Sequence, residues 1–405
     1  MHDDDAQAIQ IISDRLIELG LLQAPVNQQM QEFCEQLVDL GLPLHRGNVS
    51  ARTMHPLIDS VSNIWRRGKD VETSANTLEQ AASTRWQQSP MRALVENMDT
   101  GLKRTDLTDA RETERWPVFA EFRAASATEH VAKLTAFGLD GATTGSTGVM
   151  MTWTTDRKGG FADRDIAILD RLMPRLALSV KSCVDYEIAQ NLLRAYVGRH
   201  ASSEILAGAY RRGSFRMIPA IILITDLKGF TALANRVDQA AVTQVLNQCF
   251  DAMVAPIRNH GGEVLKFLGD GLLAVFEHRG NEAADLCLEA LNAAKEAVNA
   301  VALIDRPGEP GITMELDAAL HLGEVFYGNV GAADRLDFTI LGPAVNEASR
   351  IESLCSILGH PILMSQSFAD KALGCRGEMI SAGEHVLRGT EGSQTLYALK
   401  PEPDQ

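Results

Sequence analysis

The order of elements after residue 216 constrains the fold of this chain most. A buried-strand run, Ala220-Ile221-Ile222-Leu223-Ile224-Thr225, precedes a long amphipathic pattern over 238–258, stopped by Gly261-Gly262. Two short strands then flank Gly269-Asp270-Gly271, a hairpin signal. A second helical pattern covers 281–302, Pro307 and Pro310 mark a loop, and a strand runs 312–321. That is β-α-β-β-α-β, the split βαβ arrangement of an α+β domain. Strand-like segments over 324–341, a helix at 345–357, and strands near 362, 378 and 395 decorate it.

Ahead of this region lies a joint. From Gly160 to Ala209 the residues Ile166, Leu169, Leu172, Met173, Leu176, Val180, Val184, Ile188 and Leu192 recur at threes and fours, one apolar stripe on a helix. Asp163 is the expected N-cap after Gly159-Gly160. Pro174 inside the pattern predicts a kink or two abutting helices. The stripe suits either a helix packed on its own domain or a parallel dimer helix. Before the joint, 7–22 and 26–40 read as helices, 44–53, 58–66, 129–137 and 147–154 as strands, and segments near 91–98 and 117–125 as short helices. The stretch around 70–90 is polar. The expected division is a sensor-like α+β domain over 1–160, a helical linker and dimerisation segment over 161–213, and a catalytic domain over 214–405.

Composition narrows the function. Of 405 residues, 45% are hydrophobic and 22% charged, as in globular domains, and the formal net charge is −15. That charge argues against a nucleic-acid or anionic-membrane surface. No run approaches the length of a membrane helix, and the acidic start Met1-His2-Asp3-Asp4-Asp5 has no signal-peptide core. Six scattered cysteines without a CxxC pair read as reduced, packed thiols, and the expected location is cytoplasmic.

Asp226 ends the first apolar strand of the split βαβ unit and Asp270 sits in the hairpin. The topology sends both to one sheet edge. Paired carboxylates there suit hard cations such as Mg²⁺ or Mn²⁺ together with substrate phosphates. The turn and helix start at Gly229, Phe230 and Thr231 offer backbone N–H groups to phosphate. Without a partner, each aspartate would read as an N-cap or a turn residue.

Three segments carry a family resemblance. Ile224-Thr225-Asp226-Leu227-Lys228-Gly229-Phe230-Thr231, Glu263-Val264-Leu265-Lys266-Phe267-Leu268-Gly269-Asp270-Gly271 and Val345-Asn346-Glu347-Ala348-Ser349-Arg350 resemble, in order and spacing, the motifs of class III adenylate/guanylate cyclases. The likeness covers roughly 216–400. It implies conversion of ATP to 3′,5′-cyclic AMP, with two Mg²⁺ or Mn²⁺ on Asp226 and Asp270. It further implies adenine read by Lys266 and Thr339, ribose oriented by Asn346, the reacting phosphate neutralised by Arg350, and a terminal-phosphate contact from Arg388. In that family two catalytic domains share each site, which implies a homodimer.

Lysine can donate to adenine N1 but cannot accept from the N1–H of guanine, whereas threonine tolerates either purine. A guanylyl or dual-specificity cyclase is therefore the alternative, and a catalytically silent nucleotide-binding protein a third reading. Threonine at 339 resembles the subgroup that includes bicarbonate-responsive members. Pro343 stands where a polar residue is usual. Gly261-Gly262-Glu263 superficially resembles the diguanylate cyclase signature, but it precedes the strand instead of forming the turn. No GxxxxGK[ST] loop is present.

The first half resembles a GAF-type sensor over 40–185, which implies a small-molecule or protein signal there. His45, His55 and His130 lack metal-ligand spacing. Trp65, Trp86, Trp116 and Trp153 suit core packing or the lining of a ligand cavity.

Overall fold

The computed structural model describes residues 3–53, 58–81, 83–137, 148–209, 211–277, 283–389 and 392–400; side chains of 3, 4 and 81 are left aside. His55, Thr147 and the start of the helix expected from 281 lie outside the described residues. The chain divides into two compact units, Met1–Leu192 and Leu193–Gln405.

The first unit begins with helices α1 (Asp3–Leu21) and α2 (Val26–Asp39). Strands β1 (Leu44–Arg52), β2 (Ile58–Arg66) and β3 (Lys69–Thr77) follow. Short helices α3 (Leu78–Ala81), α4 (Thr84–Gln87) and α5 (Pro90–Glu96) lead to β4 (Lys103–Asp106). Then come α6 (Ala110–Arg115), α7 (Pro117–Ala124), β5 (Glu129–Ala136), β6 (Gly148–Thr155) and α8 (Asp163–Val197). The sheet order is β3-β2-β1-β6-β5-β4, antiparallel in every described pairing. Its core joins Met30, Phe33 and Leu37 of α2 to Val49, Trp65 and Trp153 of the sheet and to Leu169, Leu172, Met173 and Leu176 of α8. Trp153 is fully buried against Phe33, ring centroids 5.6 Å apart.

Several expectations are corrected here. The polar stretch after residue 69 contains β3, an exposed edge strand. It lacks an apolar alternation because neither face is covered over most of its length, as suits an edge. Asp163 is the first residue of α8, not its cap; Asp165 accepts from Ala162 N at 2.9 Å and binds Arg157 at 2.5 Å. Pro174 does not divide the helix: α8 runs unbroken from Asp163 to Val197. Proline inside a helix costs about 3 kcal/mol. The fully buried Leu172, Met173, Leu176 and Ala177 beside it offset that, at about 1.5–3 kcal/mol for each large side chain. The stripe as far as Val184 packs on this unit's own core, whereas Ile188 and Leu192 are half-buried.

The second unit opens with α9 (Arg199–Leu206), then β7 (Phe215–Leu227), the single turn α10 (Phe230–Ala234) and α11 (Gln239–Asn259). The hairpin is β8 (Glu263–Leu268) and β9 (Gly271–Glu277), followed by α12 (Ala283–Val301) and β10 (Leu316–Gly331). Beyond lie β11 (Leu336–Leu341), α13 (Pro343–Glu352), α14 (Cys355–Leu358), β12 (Ile362–Met364), α15 (Gln366–Lys371), β13 (Met379–His385) and β14 (Gln394–Leu399). The central order β10-β7-β9-β8 is the fourth, first, third and second strand of the split βαβ pattern. The two strands expected over 312–321 and from 324 are one strand, β10. Gly323 does not end it, because it stays in register opposite Ala220.

β7 reads as a continuous apolar run because both its faces are covered. Ile221 and Leu223 join the core under α11 and α12, and Ala220, Ile222 and Ile224 join the one under α9 and α13. At its end β9 comes unusually close: a Cβ on Gly271 would overlap the Thr225 carbonyl oxygen and stand 3.2 Å from Asp226 Cα. Leu272 N donates to Thr225 Oγ1 at 3.2 Å beside it. Gly271→Ala should therefore cost about 2 kcal/mol or more by overpacking, read as a lower denaturation midpoint for the second unit. An unchanged midpoint would show that the strands part freely there.

Candidate active site

The close approach at Gly271 sets Asp226, near the end of β7, beside Asp270 in the β8–β9 turn; Asp226 is half-buried. Burial, then the charges of Asp270 and Asp317, push the Asp226 carboxyl up to about 6. Burial also raises Asp270. Glu352, the last residue of α13, is pushed up to about 7 by burial and by the charges of Asp226, Asp317 and Asp270. Asp317 pairs in register with Asp226 across β10, accepts from Ser356 Oγ at 2.5 Å and stands 3.2 Å from Lys228 Nζ. The edge is thus a concentration of negative charge. Neither Arg350 nor Arg388 is among the charges acting on these carboxyls.

The turn after Asp226 is fastened. Gly229 has φ +66°, a left-handed conformation that favours glycine, and caps α10. Arg306 Nη2 donates to Lys228 O at 2.7 Å, and Lys228 N donates to Glu315 O at 2.9 Å. Phe230 packs against the core, while Gly229 and Thr231 are exposed.

A second group forms where β8 meets β11. Lys266 Nζ donates to Asp337 Oδ2 at 2.7 Å. Thr339, two residues along β11 from Asp337, is 2% exposed, and its hydroxyl has no described hydrogen-bond partner. A third group lies on α13. Pro343 occupies the first turn of that helix, where a missing N–H costs nothing, which accounts for proline at this position. Asn346, exposed, and Arg350, half-buried, sit four residues apart on one face. The Arg350 guanidinium lies against Gly389, a Cβ there meeting Nη2 at 3.3 Å, so the exposed Arg388 is its neighbour in the chain.

Most of the expected residues thus fall in three groups: the carboxylates, the Lys266–Thr339 pair, and Asn346 with Arg350, with Arg388 next in the chain to the Gly389 that Arg350 meets; Gly229, Phe230 and Thr231 form the turn after Asp226. Sequence reasoning missed Asp317, Glu352, Lys228, Arg306 and Asp337. Asp317 left a usable signal, a lone charge inside the apolar run Leu316–Leu320. The others left none, since an acidic or basic residue in a loop, at a helix end or at the exposed start of a strand is ordinary.

Residues 216–401 match the family model described as the adenylate and guanylate cyclase catalytic domain. A terminal-differentiation-specific adenylate cyclase of Dictyostelium discoideum is 31% identical over 170 residues, 41% of this chain and 8% of that protein. An uncharacterized protein of Mycobacterium tuberculosis is 33% identical over 216 residues, 52% of this chain and 38% of its own length. The chain thus spans well under half of these relatives. The crystal structure of the adenylyl cyclase CyaB from P. aeruginosa covers 47% of this chain and 97% of its own, at 22% identity and a TM-score of 0.41. The family-model match falls within the second unit, and its description spans both nucleotides. Among the described residues no helix is long and apolar enough to cross a membrane.

Glu352 generates a pH prediction. Its folded carboxyl holds a proton between the ordinary 4.5 and about 7, so the folded state binds more protons than the unfolded one in that window. Stability from this group is present at low pH and falls as pH rises through 7. Glu352→Gln should raise the melting temperature at pH 8 in EDTA and leave it nearly unchanged at pH 4.5. No rise at pH 8 would mean that the carboxylate is compensated.

Proposed function

We propose that the second unit is an adenylyl cyclase, converting ATP to 3′,5′-cyclic AMP and pyrophosphate. The observation that carries this reading is the edge where Asp226 and Asp270 stand with raised carboxyls and negative neighbours. Two carboxylates at such an edge fit divalent cations. Mg²⁺ or Mn²⁺ would complete their shells with phosphate oxygens and water. Asp226 and Asp270 would hold two such cations, which when bound lower the pKa of the ribose 3′-hydroxyl and neutralise phosphate charge.

This chain's residues then bind and orient. The 3′-hydroxyl attacks the α-phosphorus in line and pyrophosphate leaves. Backbone N–H groups of Gly229, Phe230 and Thr231 approach the phosphates, and Arg388 takes the terminal one. Arg350 offers a planar fork to the oxygens of the reacting phosphate, and Asn346 on the same helix face orients the ribose. Lys266, positioned by Asp337, donates to adenine N1, and the Thr339 hydroxyl accepts from the 6-amino group. The same hydroxyl can donate to the 6-oxo group of guanine, which keeps a guanylyl or dual-specificity reading as the second choice.

The site is shared between two copies in this reading. The neighbours that raise the carboxyls of Asp226 and Glu352 within one chain are other carboxyls, and in this reading a partner chain would supply the arginines. Exposed Phe267, Phe326, Leu336 and Leu341, on the strands around Lys266 and Thr339, give a second copy apolar surface to cover. The first unit, which includes the packed part of α8 that was expected to belong to the linker, would act as a GAF-like sensor, with the chain beyond Val184 as linker, in a cytoplasmic homodimer.

The test is product analysis of purified protein with ATP or GTP and Mn²⁺. Cyclic AMP should form, and Asp270→Ala should lower it at least about 100-fold, in the range set by removing a principal electrostatic stabiliser. Lys266→Glu should lower turnover of ATP far more than that of GTP. Faster cyclic GMP formation by the wild type would favour the second reading. Metal-dependent nucleotide binding with no product would replace both with a binding protein.

A further inference from the structure

The first unit contains a cavity of about 350 Å³, at the small end of ligand pockets, which run about 300–1,000 Å³. Its apolar walls come from Val26 at the start of α2, Val49 and Ala51 of β1, Val61 of β2 and Val184 of α8. None of the four tryptophans lines it. Four uncharged polar side chains, Asn27, Thr53, Asn63 and Thr73, interrupt the apolar wall. Asn63 and Thr73 are register partners on β2 and β3, and Thr73 Oγ1 donates to Asn63 Oδ1 at 2.8 Å. That bond fixes the amide. Asn63 is 5% exposed, and its side-chain N–H groups donate to none of the described residues.

The Asn63 amide nitrogen is not among the enclosed polar atoms that lack a partner, so its N–H groups face space that solvent or an occupant can reach. Among the described lining residues the single charged group is Glu187, on α8 one turn beyond Val184 and exposed at the mouth; no lysine, arginine or histidine lines the space. A carboxylate at the entrance and no cation within disfavour nucleotides and other anions.

From this we infer that the cavity binds a small, mainly apolar molecule that is neutral or cationic and carries a carbonyl or hydroxyl acceptor for Asn63. The occupant touches Val184, where the packed part of α8 ends, and would act on the helix that continues to Val197. Such a site deepens the reading of the first unit as a sensor. Binding is measured without catalysis, so failure of the cyclase reading would leave the site standing.

Two probes of one shape separate the chemistry: 2-acetonaphthalene, a neutral ketone, and 2-naphthoate, its anionic counterpart. In ligand-observed NMR titrations of the full chain, the ketone should bind at least roughly tenfold tighter, because the anion would be buried without a counter-charge. Ala51→Phe fills the cavity and should abolish ketone binding while circular dichroism stays native. Asn63→Asp, which replaces the donor with an acceptor, should weaken it by roughly threefold to tenfold, the worth of one hydrogen bond. Equal affinity for the two probes, no ketone binding to the folded wild type, or binding undiminished in a folded Ala51→Phe variant would each overturn the site. The comparison of probes on the wild type needs no variant to fold.

Discussion

The approach of β9 to β7 at Gly271 is the constraint on which the rest of the second unit depends. Only a residue without a Cβ lets the hairpin close on the Thr225 carbonyl, and that closure holds Asp270 beside Asp226. Asp317 faces Asp226 from the other neighbouring strand, and α13 ends with Glu352 close enough for all three charges to act on it. Four carboxyls around one strand end oppose folding unless they are protonated or neutralised. Lys228 answers Asp317 in part. Raised carboxyls at Asp226, Asp270 and Glu352 are the physical signature of the remaining imbalance. Such groups cluster where a protein binds cations or performs chemistry.

Much of this was legible in the sequence, and for identifiable reasons. β7 announced itself because burial on two faces leaves an apolar run before Asp226. The hairpin announced itself through Gly269-Asp270-Gly271, and the split βαβ order then put both aspartates at one edge. What stayed hidden depended on pairings across the sheet. Asp337 is one of 53 acidic residues until β11 lies near β8 and gives it Lys266 as partner. Glu352 carries no local mark at all, since its position follows from the length of α13. In the first unit β3 was missed because an uncovered edge strand has no reason to alternate. Of the two readings of Pro174, abutting helices fail because helix propensity is a local quantity, whereas the buried residues on either side of it are held by tertiary packing.

The two units differ in how they treat buried polarity. In the second, polar groups gather where a charged substrate would meet them. In the first, Asn63 offers its amide to a cavity whose wall is mostly apolar, which specifies an occupant by shape and a hydrogen bond. α8 is common to both accounts. Its residues up to Val184 belong to the first core, and its last turns carry the chain past the boundary at Leu192.

The claim at the centre of this account is that the carboxylate edge and the arginine face of one site come from different copies of the chain. Complementation tests it most directly. Asp226→Ala and Arg350→Ala proteins, each inactive alone, are mixed under conditions where heterodimers are shown to form, and cyclic AMP is measured. The account predicts that activity returns, because one of the two sites in each heterodimer combines an intact edge with an intact arginine face. Proven heterodimers that make no product would contradict it.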